Sequence, residues 1–281
     1  MREGLTVALG AQRYRVERPW GDLPATPGGI SDVACDAAGR VYVQYRTDPM
    51  VDPPSPGVVV LSAEGARLAA WGESIADGHM LTVHPDGRVF VVDRDAQEVV
   101  IFAATGERLG GIGTRHGPGA PFNAPCDVAF APDGTIYVAD GYANARVHRF
   151  APDGTPQGGW GAPGRGPGEF CTPHSVWVQP DGTVLVCDRD NSRVQAFSPA
   201  GAFLFEVTDV HKPMDVHGGP DGTFYVTDQV PRLSWFAGDG RLLGRCRPVL
   251  NGAHGMWRDP RSGVIYQSEL NPNRLTRLVP L

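Results

Sequence analysis

Three histidines occupy the same position of a repeated sequence pattern. They are His79, His174 and His254. Each opens a short apolar run that leads into a Pro-Asp-Gly turn or a related turn, and the same position in the other repeats holds Ser31, Cys126 and Met214. If six repeats form a ring, the three imidazoles converge on its axis about 120° apart. Three neutral imidazoles with one open position are typical of catalytic zinc, so the pattern predicts Zn²⁺ or another divalent transition metal there.

The spacing of these six positions predicts the elements that must hold the histidines. Successive positions are 48, 47, 48, 40 and 40 residues apart. Repeats of this length with several short strands each are typical of a β-propeller. The last repeat ends at Leu281 after its third strand, so we expect the segment Ala11–Pro19 to add the missing outer strand and close the ring. The sequence therefore predicts an all-β, six-bladed propeller, with residues 1–281 as one domain.

A second recurring position lies at the end of the second strand of each repeat. It is usually aspartate, which we expect to cap the turn that follows. The next residue is arginine in three repeats, at Arg46, Arg94 and Arg189. Arginines at the mouth of a channel could bind a carboxylate through paired hydrogen bonds. The alternative for each is a solvated turn residue or a partner of the neighbouring aspartate.

Composition narrows the class of protein and its partners. The 281 residues carry a net charge of −6 without a basic stripe, which argues against a nucleic-acid partner. No apolar run is long enough to span a membrane, and the apolar stretch Leu5–Leu9 is too short for the core of a signal peptide. The five cysteines are odd in number and match no metal-binding spacing, so we expect free thiols in the cytoplasm.

The segment Phe122–Phe197 carries a resemblance to a known family. Its phrases are Pro125-Cys-Asp-Val, Tyr137-Val-Ala-Asp-Gly-Tyr, Pro173-His-Ser-Val and Asp188-Arg-Asp-Asn-Ser-Arg. They resemble the lyase domain of peptidylglycine α-amidating enzymes, a six-bladed propeller of the NHL-repeat type, and weaker similarity extends towards both ends of the chain. The resemblance implies that the three histidines hold zinc, that Tyr142 is the catalytic tyrosine, and that Arg46 and Arg189 are the two functional arginines.

The reaction implied by the resemblance is cleavage of a carbinolamide, N–C(OH), to an amide and an aldehyde acid. Zinc would lower the pKa of the substrate hydroxyl, and Tyr142 would take its proton as general base. We expect nearby Arg46 to lower the pKa of Tyr142. Arg189 would hold a substrate carboxylate or the developing negative charge. The substrate is thus expected to be a small molecule, with a carboxylate as one candidate feature.

Two departures from the family pattern matter for this expectation. The family has an aspartate that binds structural calcium directly after the third histidine, whereas this chain has Gly255. We therefore do not expect calcium on the axis, although carbonyls near Val33 and Leu81 could still contribute ligands. No copper monooxygenase segment accompanies the repeats, which leaves the natural substrate open.

Two other functions stay open at this point. A metal-dependent hydrolase or hydratase could use the same three histidines to activate water. A protein-interaction platform of the NHL type would use the propeller surface and would not need zinc. Metal content separates the platform from both enzymes, and product analysis separates the enzymes from each other.

Overall fold

The computed structural model describes residues 4–25, 28–47 and 55–281. Its strands form six antiparallel sheets, five of four strands and one of five. In chain order the strands are β1 Thr6–Leu9, β2 Gln12–Glu17, β3 Gly29–Cys35, β4 Val41–Arg46, β5 Val58–Leu61, β6 Arg67–Trp71, β7 Gly78–Val83, β8 Val89–Asp93, β9 Glu98–Phe102, β10 Arg108–Gly113, β11 Asp127–Phe130, β12 Ile136–Asp140, β13 Arg146–Phe150, β14 Pro156–Trp160, β15 Pro173–Val178, β16 Val184–Asp188, β17 Arg193–Phe197, β18 Phe203–Val207, β19 Pro213–Gly218, β20 Phe224–Asp228, β21 Arg232–Phe236, β22 Leu242–Cys246, β23 Gly255–Arg258, β24 Ile265–Leu270 and β25 Asn273–Pro280.

Each sheet is one blade of a six-bladed β-propeller, which confirms the predicted fold. Blades one to five run β3–β6, β7–β10, β11–β14, β15–β18 and β19–β22, and the sixth has the order β1-β2-β25-β24-β23. The first strand of each blade packs against the first strands of its neighbours, as β3 does against β7 and β23. The first strands therefore surround the axis, and a residue at the start of one of them lies near its counterparts in the other blades.

The ring is closed by pairing between the two ends of the chain. Strand β2 pairs antiparallel with β25, so Tyr14 lies opposite Pro280 and Glu17 opposite Arg277. The N-terminal segment thus supplies the outer strand that the last repeat lacks, as the sequence predicted. Strand β1 then adds a fifth strand outside β2, which the repeat pattern did not predict. The pairing covers a sheet edge that the sixth blade would otherwise leave open.

The hydrophobic core lies between adjacent blades. The second strands are buried throughout, as in β8 and β16, because both faces of an inner strand meet a neighbouring blade. Between blades two and three, Phe90 and Val92 pack with Phe122, Val128 and Val138. The fourth strands are mostly exposed, as in β6 and β14. Burial therefore decreases from the axis outwards, which makes the inner strands a rigid support for a site.

The turns between first and second strands follow the Pro-Asp-Gly pattern. In the third blade, Asp133 accepts a hydrogen bond from the Thr135 amide at 2.9 Å, and Gly134 has a φ of 85° that glycine adopts without strain. The sequence also indicated a loop, Thr47–Pro56, within blade one, but residues 48–54 lie outside the described residues. Within the described residues, no helix has the length and apolar character needed to cross a membrane.

Candidate metal centre

His79, His174 and His254 converge at the axis of the propeller. Their ligand atoms all lie within 4.8 Å of one another, and no other potential ligand group of this kind occurs in the part of the chain that the structure describes. The ring centroids are 4.8 to 5.0 Å apart, and all three side chains are buried. His79 lies in β7 and His174 in β15, while His254 directly precedes β23. The alternation seen in the sequence thus becomes a triangle of imidazoles.

The orientation of each imidazole is set by the blade that follows it. Nδ1 of His79, His174 and His254 lies 2.7, 2.6 and 2.8 Å from one backbone carbonyl oxygen each, those of Cys126, Met214 and Ser31. A carbonyl only accepts hydrogen bonds, so each Nδ1 must carry the proton and each Nε2 keeps its lone pair. The three non-histidine members of the repeated position therefore fix the tautomer of the histidines, a role that their side chains did not reveal.

Burial keeps the three imidazoles neutral. It lowers the pKa of His254 to about 3, and the pKa values of His79 and His174 lie well below the usual range because of burial and the neighbouring histidines. A neutral imidazole with a free Nε2 is the form that binds a metal. Three such nitrogens suit zinc or a similar transition metal, whereas calcium prefers oxygen ligands. The residues present therefore fit the metal that the sequence predicted.

The hydroxyl of Tyr142 lies directly beside the imidazole nitrogens. It is 3.1 Å from Nε2 of His79 and 3.3 Å from Nε2 of His174. Arg189 donates a hydrogen bond from Nη1 to the same oxygen at 3.1 Å, and its guanidinium carbon is 5.1 Å from the centre of the tyrosine ring. Tyr142 follows β12, and Arg189 follows β16 in a single 3₁₀ turn. The structure thus brings these two predicted residues together with the histidines.

The pKa of Tyr142 does not follow the sequence expectation. We expected the charge of Arg46 to lower it, but the pKa is raised, chiefly because the hydroxyl end is desolvated against His79 and His174, although the residue as a whole is 36% exposed. Arg189 and, more weakly, Arg46 act in the lowering direction without offsetting burial. The expectation was wrong in its net direction because it counted the charges and not the desolvation of the phenolate.

Arg46 reaches the site through a network that the sequence did not reveal. Its Nε donates to Oδ1 of Asp77 at 2.8 Å, and Arg94 forms an ion pair with the other oxygen of the same carboxylate. Asp77 is 2% exposed. The guanidinium carbon of Arg94 lies 5.0 Å from the centre of the Tyr142 ring. Asp77 therefore couples Arg46 to an arginine in contact with Tyr142, although no repeat pattern marks it.

The recurring aspartates at the ends of the second strands hold the backbone that leads into the first strand. Asp93 accepts hydrogen bonds from the amides of Ala76 and Asp77 at 2.9 and 3.0 Å. Asp188 accepts from the amides of Cys171 and Thr172 at 2.9 and 3.2 Å. We expected these aspartates to cap the turn that follows. Asp188 does accept a hydrogen bond from Asn191 in that turn, at 2.8 Å, but the carboxylates of Asp93 and Asp188 also bind the loop that precedes His79 or His174. They therefore help to position the imidazoles along the axis.

A second ring of side chains lies one residue further along the first strands. Asp32, Asp127 and Asp215 accept hydrogen bonds from the amides of Leu81, Val176 and Met256 at 2.9, 2.9 and 2.7 Å. These bonds link blades one to two, three to four and five to six. The histidine bonds link the other three pairs of neighbours, so every blade contact at the axis is bridged. The alternation of Asp32, Asp127 and Asp215 was visible in the sequence and could have indicated this ring.

Gly255 stands where the family has its calcium-binding aspartate. A Cβ at Gly255 would lie 1.9 Å from Oδ1 of Asp32, so the carboxylate of Asp32 takes the space that a side chain would need. Burial and the neighbouring carboxylates raise the pKa of Asp32 well above its usual range. Burial raises that of Asp127 to about 8. Without an ion on the axis, these carboxyls favour the protonated form, and the expectation about calcium stays a prediction.

Fold and site together define a class: a six-bladed propeller with a buried three-histidine centre, a tyrosine at the imidazole nitrogens and arginines around it. The NHL repeat family model matches residues 170–197. The probable peptidyl-α-hydroxyglycine α-amidating lyase of Caenorhabditis elegans is 36% identical over 244 residues, which cover 79% of this chain and 69% of that protein. The chain therefore belongs to the peptidyl-α-hydroxyglycine α-amidating lyase family, as the resemblance implied.

Other relatives differ in how much of their length is matched. Peptidyl-glycine α-amidating monooxygenase A of Xenopus laevis is 32% identical over 209 residues, 69% of this chain, and the chain spans only 22% of that protein. NHL repeat-containing protein 3 of Homo sapiens is 26% identical over 300 residues, 95% of this chain and 84% of that protein. A solved gluconolactonase from Xanthomonas campestris has a TM-score of 0.75 at 18% identity, covering 97% of this chain and 91% of that one. The last likeness shows the fold alone.

Proposed function

We propose that the chain is a zinc-dependent lyase that cleaves a small carbinolamide into an amide and an aldehyde acid. The observation that carries the proposal is the Tyr142 hydroxyl, which lies 3.1 and 3.3 Å from the Nε2 atoms of His79 and His174. A base at this distance from the metal-binding nitrogens can reach a proton on an oxygen bound beside them. Membership of the amidating lyase family supports the reaction type.

In the proposed reaction, the carbon that bears the hydroxyl becomes a carbonyl and its bond to nitrogen breaks. Zinc at the three Nε2 atoms would supply a Lewis acid that makes a hydroxyl beside it more acidic. Tyr142 removes the hydroxyl proton and returns a proton to the departing nitrogen, so the substrate divides into amide and aldehyde without gain or loss of atoms. Arg189, which donates to the tyrosine oxygen at 3.1 Å, stabilises the phenolate form of Tyr142 that accepts the proton.

The arginines provide the complement for a carboxylate on the substrate. Arg46 is 28% exposed at its side chain, so it keeps donors that face solvent beyond its contact with Asp77. We assign it to the carboxylate of the aldehyde-acid half of the substrate. Arg94 contacts the Tyr142 ring and the carboxylate of Asp77, and we assign it to holding both in place. Binding the carboxylate away from the scissile bond orients the hydroxyl towards Tyr142.

The test combines metal content with product analysis. Plasma emission spectroscopy of the purified protein should give about one zinc per chain. Incubation with α-hydroxyhippurate should then yield benzamide and glyoxylate in equal amounts. A Tyr142→Phe variant should lose this turnover and retain zinc. Tyr137→Phe is the matched control, because its hydroxyl bonds to the Pro199 carbonyl at 3.0 Å, away from the histidines.

Each other outcome points to a different function. Protein without zinc after expression with ample metal would contradict both enzyme hypotheses and favour the interaction platform. Zinc with no cleavage of α-hydroxyhippurate would favour the hydrolase or hydratase, which needs only the metal and water. Full turnover by Tyr142→Phe would remove the assigned base and leave the lyase itself in place.

The cellular location stays a prediction from the cysteines. All five are free thiols, among them the exposed Cys171. Free cysteines are typical of proteins in a reducing compartment, so we propose the cytoplasm. Thiol titration of the denatured protein, purified with alkylation on lysis, should give five free thiols per chain.

A further inference from the structure

A large cleft opens next to Tyr142, between the third and fourth blades. Its volume is about 810 Å³. One wall is the segment Gly141–Arg146, which contains Tyr142, and the other includes Gly161–Arg165 together with Phe170 and Cys171. Since the Tyr142 hydroxyl touches His79 and His174, the tyrosine is shared between the cleft and the metal centre. Tyr142 therefore borders both the cleft and the metal centre, although the three histidines do not line the cleft.

The charged groups that line the cleft are cationic. They belong to Arg146 and Arg165, and no aspartate or glutamate is among the lining residues in the described part of the chain. Arg146 makes one long hydrogen bond, 3.4 Å to the Gly159 carbonyl, and the guanidinium of Arg165 has no hydrogen bond or ion pair among the described residues. In a chain with a net charge of −6, two arginines that line one cavity make it locally positive and favourable for an anion.

The two asparagine side chains of the cleft are already hydrogen-bonded within the protein. Arg146 and Arg165 are therefore the side chains with donors left for a ligand. Asn144 donates to Oδ2 of Asp140 at 2.6 Å. Asn191 donates to the Gly164 carbonyl and to Oδ2 of Asp188, both at 2.8 Å. These bonds fix the two walls. Specificity for charge therefore depends on the arginines.

The position of Arg46 determines which end of the substrate enters the cleft. Arg46 ends β4 in the first blade, which lies across the ring from the fourth. A carbinolamide has its carboxylate on one side of the hydroxyl-bearing carbon and its acyl group, through nitrogen, on the other. With the carboxylate at Arg46 and the hydroxyl at Tyr142, the acyl group points towards the cleft.

We propose that this cleft is the acyl subsite and that it selects acyl groups with an anionic substituent, so that the preferred carbinolamide has a negative charge at each end. The inference rests on the proposed function for the identity of the ligand. The anion selectivity of the cleft follows from Arg146 and Arg165 by themselves and can be measured without turnover.

The first experiment compares two substrates on the zinc-loaded protein. They are α-hydroxyhippurate and its analogue with a carboxylate at the para position of the benzoyl ring. We expect kcat/KM to be about tenfold higher for the analogue, as one charge-assisted contact provides. In an Arg146→Gln, Arg165→Gln double variant the ratio of the two kcat/KM values should fall to about one. Arg149→Gln is the matched control, since Arg149 lies on the same strand as Arg146 but outside the cleft.

The second experiment measures binding of the amide products by isothermal titration calorimetry. We expect 4-carbamoylbenzoate to bind about tenfold more tightly than benzamide, and the double variant to lose the difference. If neither substrate is cleaved but this binding pattern holds, the proposed lyase activity is wrong and the anion subsite stands. Equal kcat/KM values for both substrates, together with equal binding of both amides, would overturn the subsite. A preference that survives in the double variant would overturn its assignment to these arginines.

Discussion

Asp77→Asn separates the two roles that a buried carboxylate can have at this site. Asp77 is 2% exposed and contacts Arg46 at 2.8 Å and Arg94 through its other oxygen. Asparagine keeps the shape of the side chain and one acceptor oxygen but removes the charge. The variant therefore tests whether the carboxylate is needed for stability or for positioning the two arginines.

The expected change in stability is small. Although two guanidiniums lower the pKa of Asp77, burial raises it more, and the net pKa is above the ordinary value. The folded state thus favours the neutral form relative to the unfolded chain, so the charge itself does not stabilise the fold near neutral pH. The arginines that lose their partner are 28% and 19% exposed at their side chains and can be solvated. We expect the free energy of unfolding to change by less than about 1 kcal/mol, the range for ion pairs whose cations reach solvent.

The expected change in activity is large. Without the carboxylate, Arg46 and Arg94 each exchange a charge-assisted hydrogen bond for at most a neutral one. The interaction energy that holds the two guanidiniums in place then falls by about 1.5–3 kcal/mol. This corresponds to a decrease of about 10- to 100-fold in kcat/KM for α-hydroxyhippurate. The increase in KM should exceed the decrease in kcat, because Arg46 is assigned to a carboxylate that is present in substrate and transition state alike.

Urea unfolding and steady-state kinetics on the same preparations check both parts. Asp22→Asn is the matched control, since its contact with Arg67 is 3.4 Å long and its side chain is 62% exposed. An unchanged kcat/KM in Asp77→Asn would refute the positioning argument. A loss of more than about 3 kcal/mol in stability would instead show that the ion pairs hold the fold.

Three further predictions concern the metal centre and the core. His254→Leu should abolish zinc binding, measured by plasma emission, because two nitrogens do not make a stable site; full zinc content would remove His254 from the ligand set. In metal-free protein, the pKa of His254 is lowered to about 3, so the unfolded chain binds its proton first as the pH falls below the ordinary value. Stability should then decrease between pH 6 and 4 by up to about 1.4 kcal/mol per pH unit more in the natural protein than in His254→Leu, as followed by urea unfolding; parallel pH profiles would contradict this. Phe122→Ala should lower the free energy of unfolding by about 3–5 kcal/mol, because this ring is fully buried between the second and third blades. A loss below about 1 kcal/mol would mean that the blades repack around the cavity.

The repeat pattern predicted the propeller because blade geometry is periodic. The spacing of the six equivalent positions determined the number of blades, and the incomplete last repeat pointed to the N-terminal segment that pairs with β25. The fifth strand of the sixth blade was missed, because β1 has no counterpart in the other repeats. Residues that obey the repeat could therefore be placed from the sequence, and those outside it could not.

The repeat pattern by itself identified the histidines and marked Arg46 and Arg189, and the resemblance added Tyr142 and the functional assignment of the two arginines; the catalytic roles stay predictions. Only the tertiary structure decided the tautomers, the ion-pair partners and the pKa values of these groups. The carbonyls of Ser31, Cys126 and Met214 fix the imidazole tautomers. Because every residue has a backbone carbonyl, the sequence does not show which of them meets an imidazole. Asp77 meets Arg46 through the fold, 31 residues away. The net pKa of Tyr142 depends on burial, which sums over neighbours from several blades and is absent from any one segment.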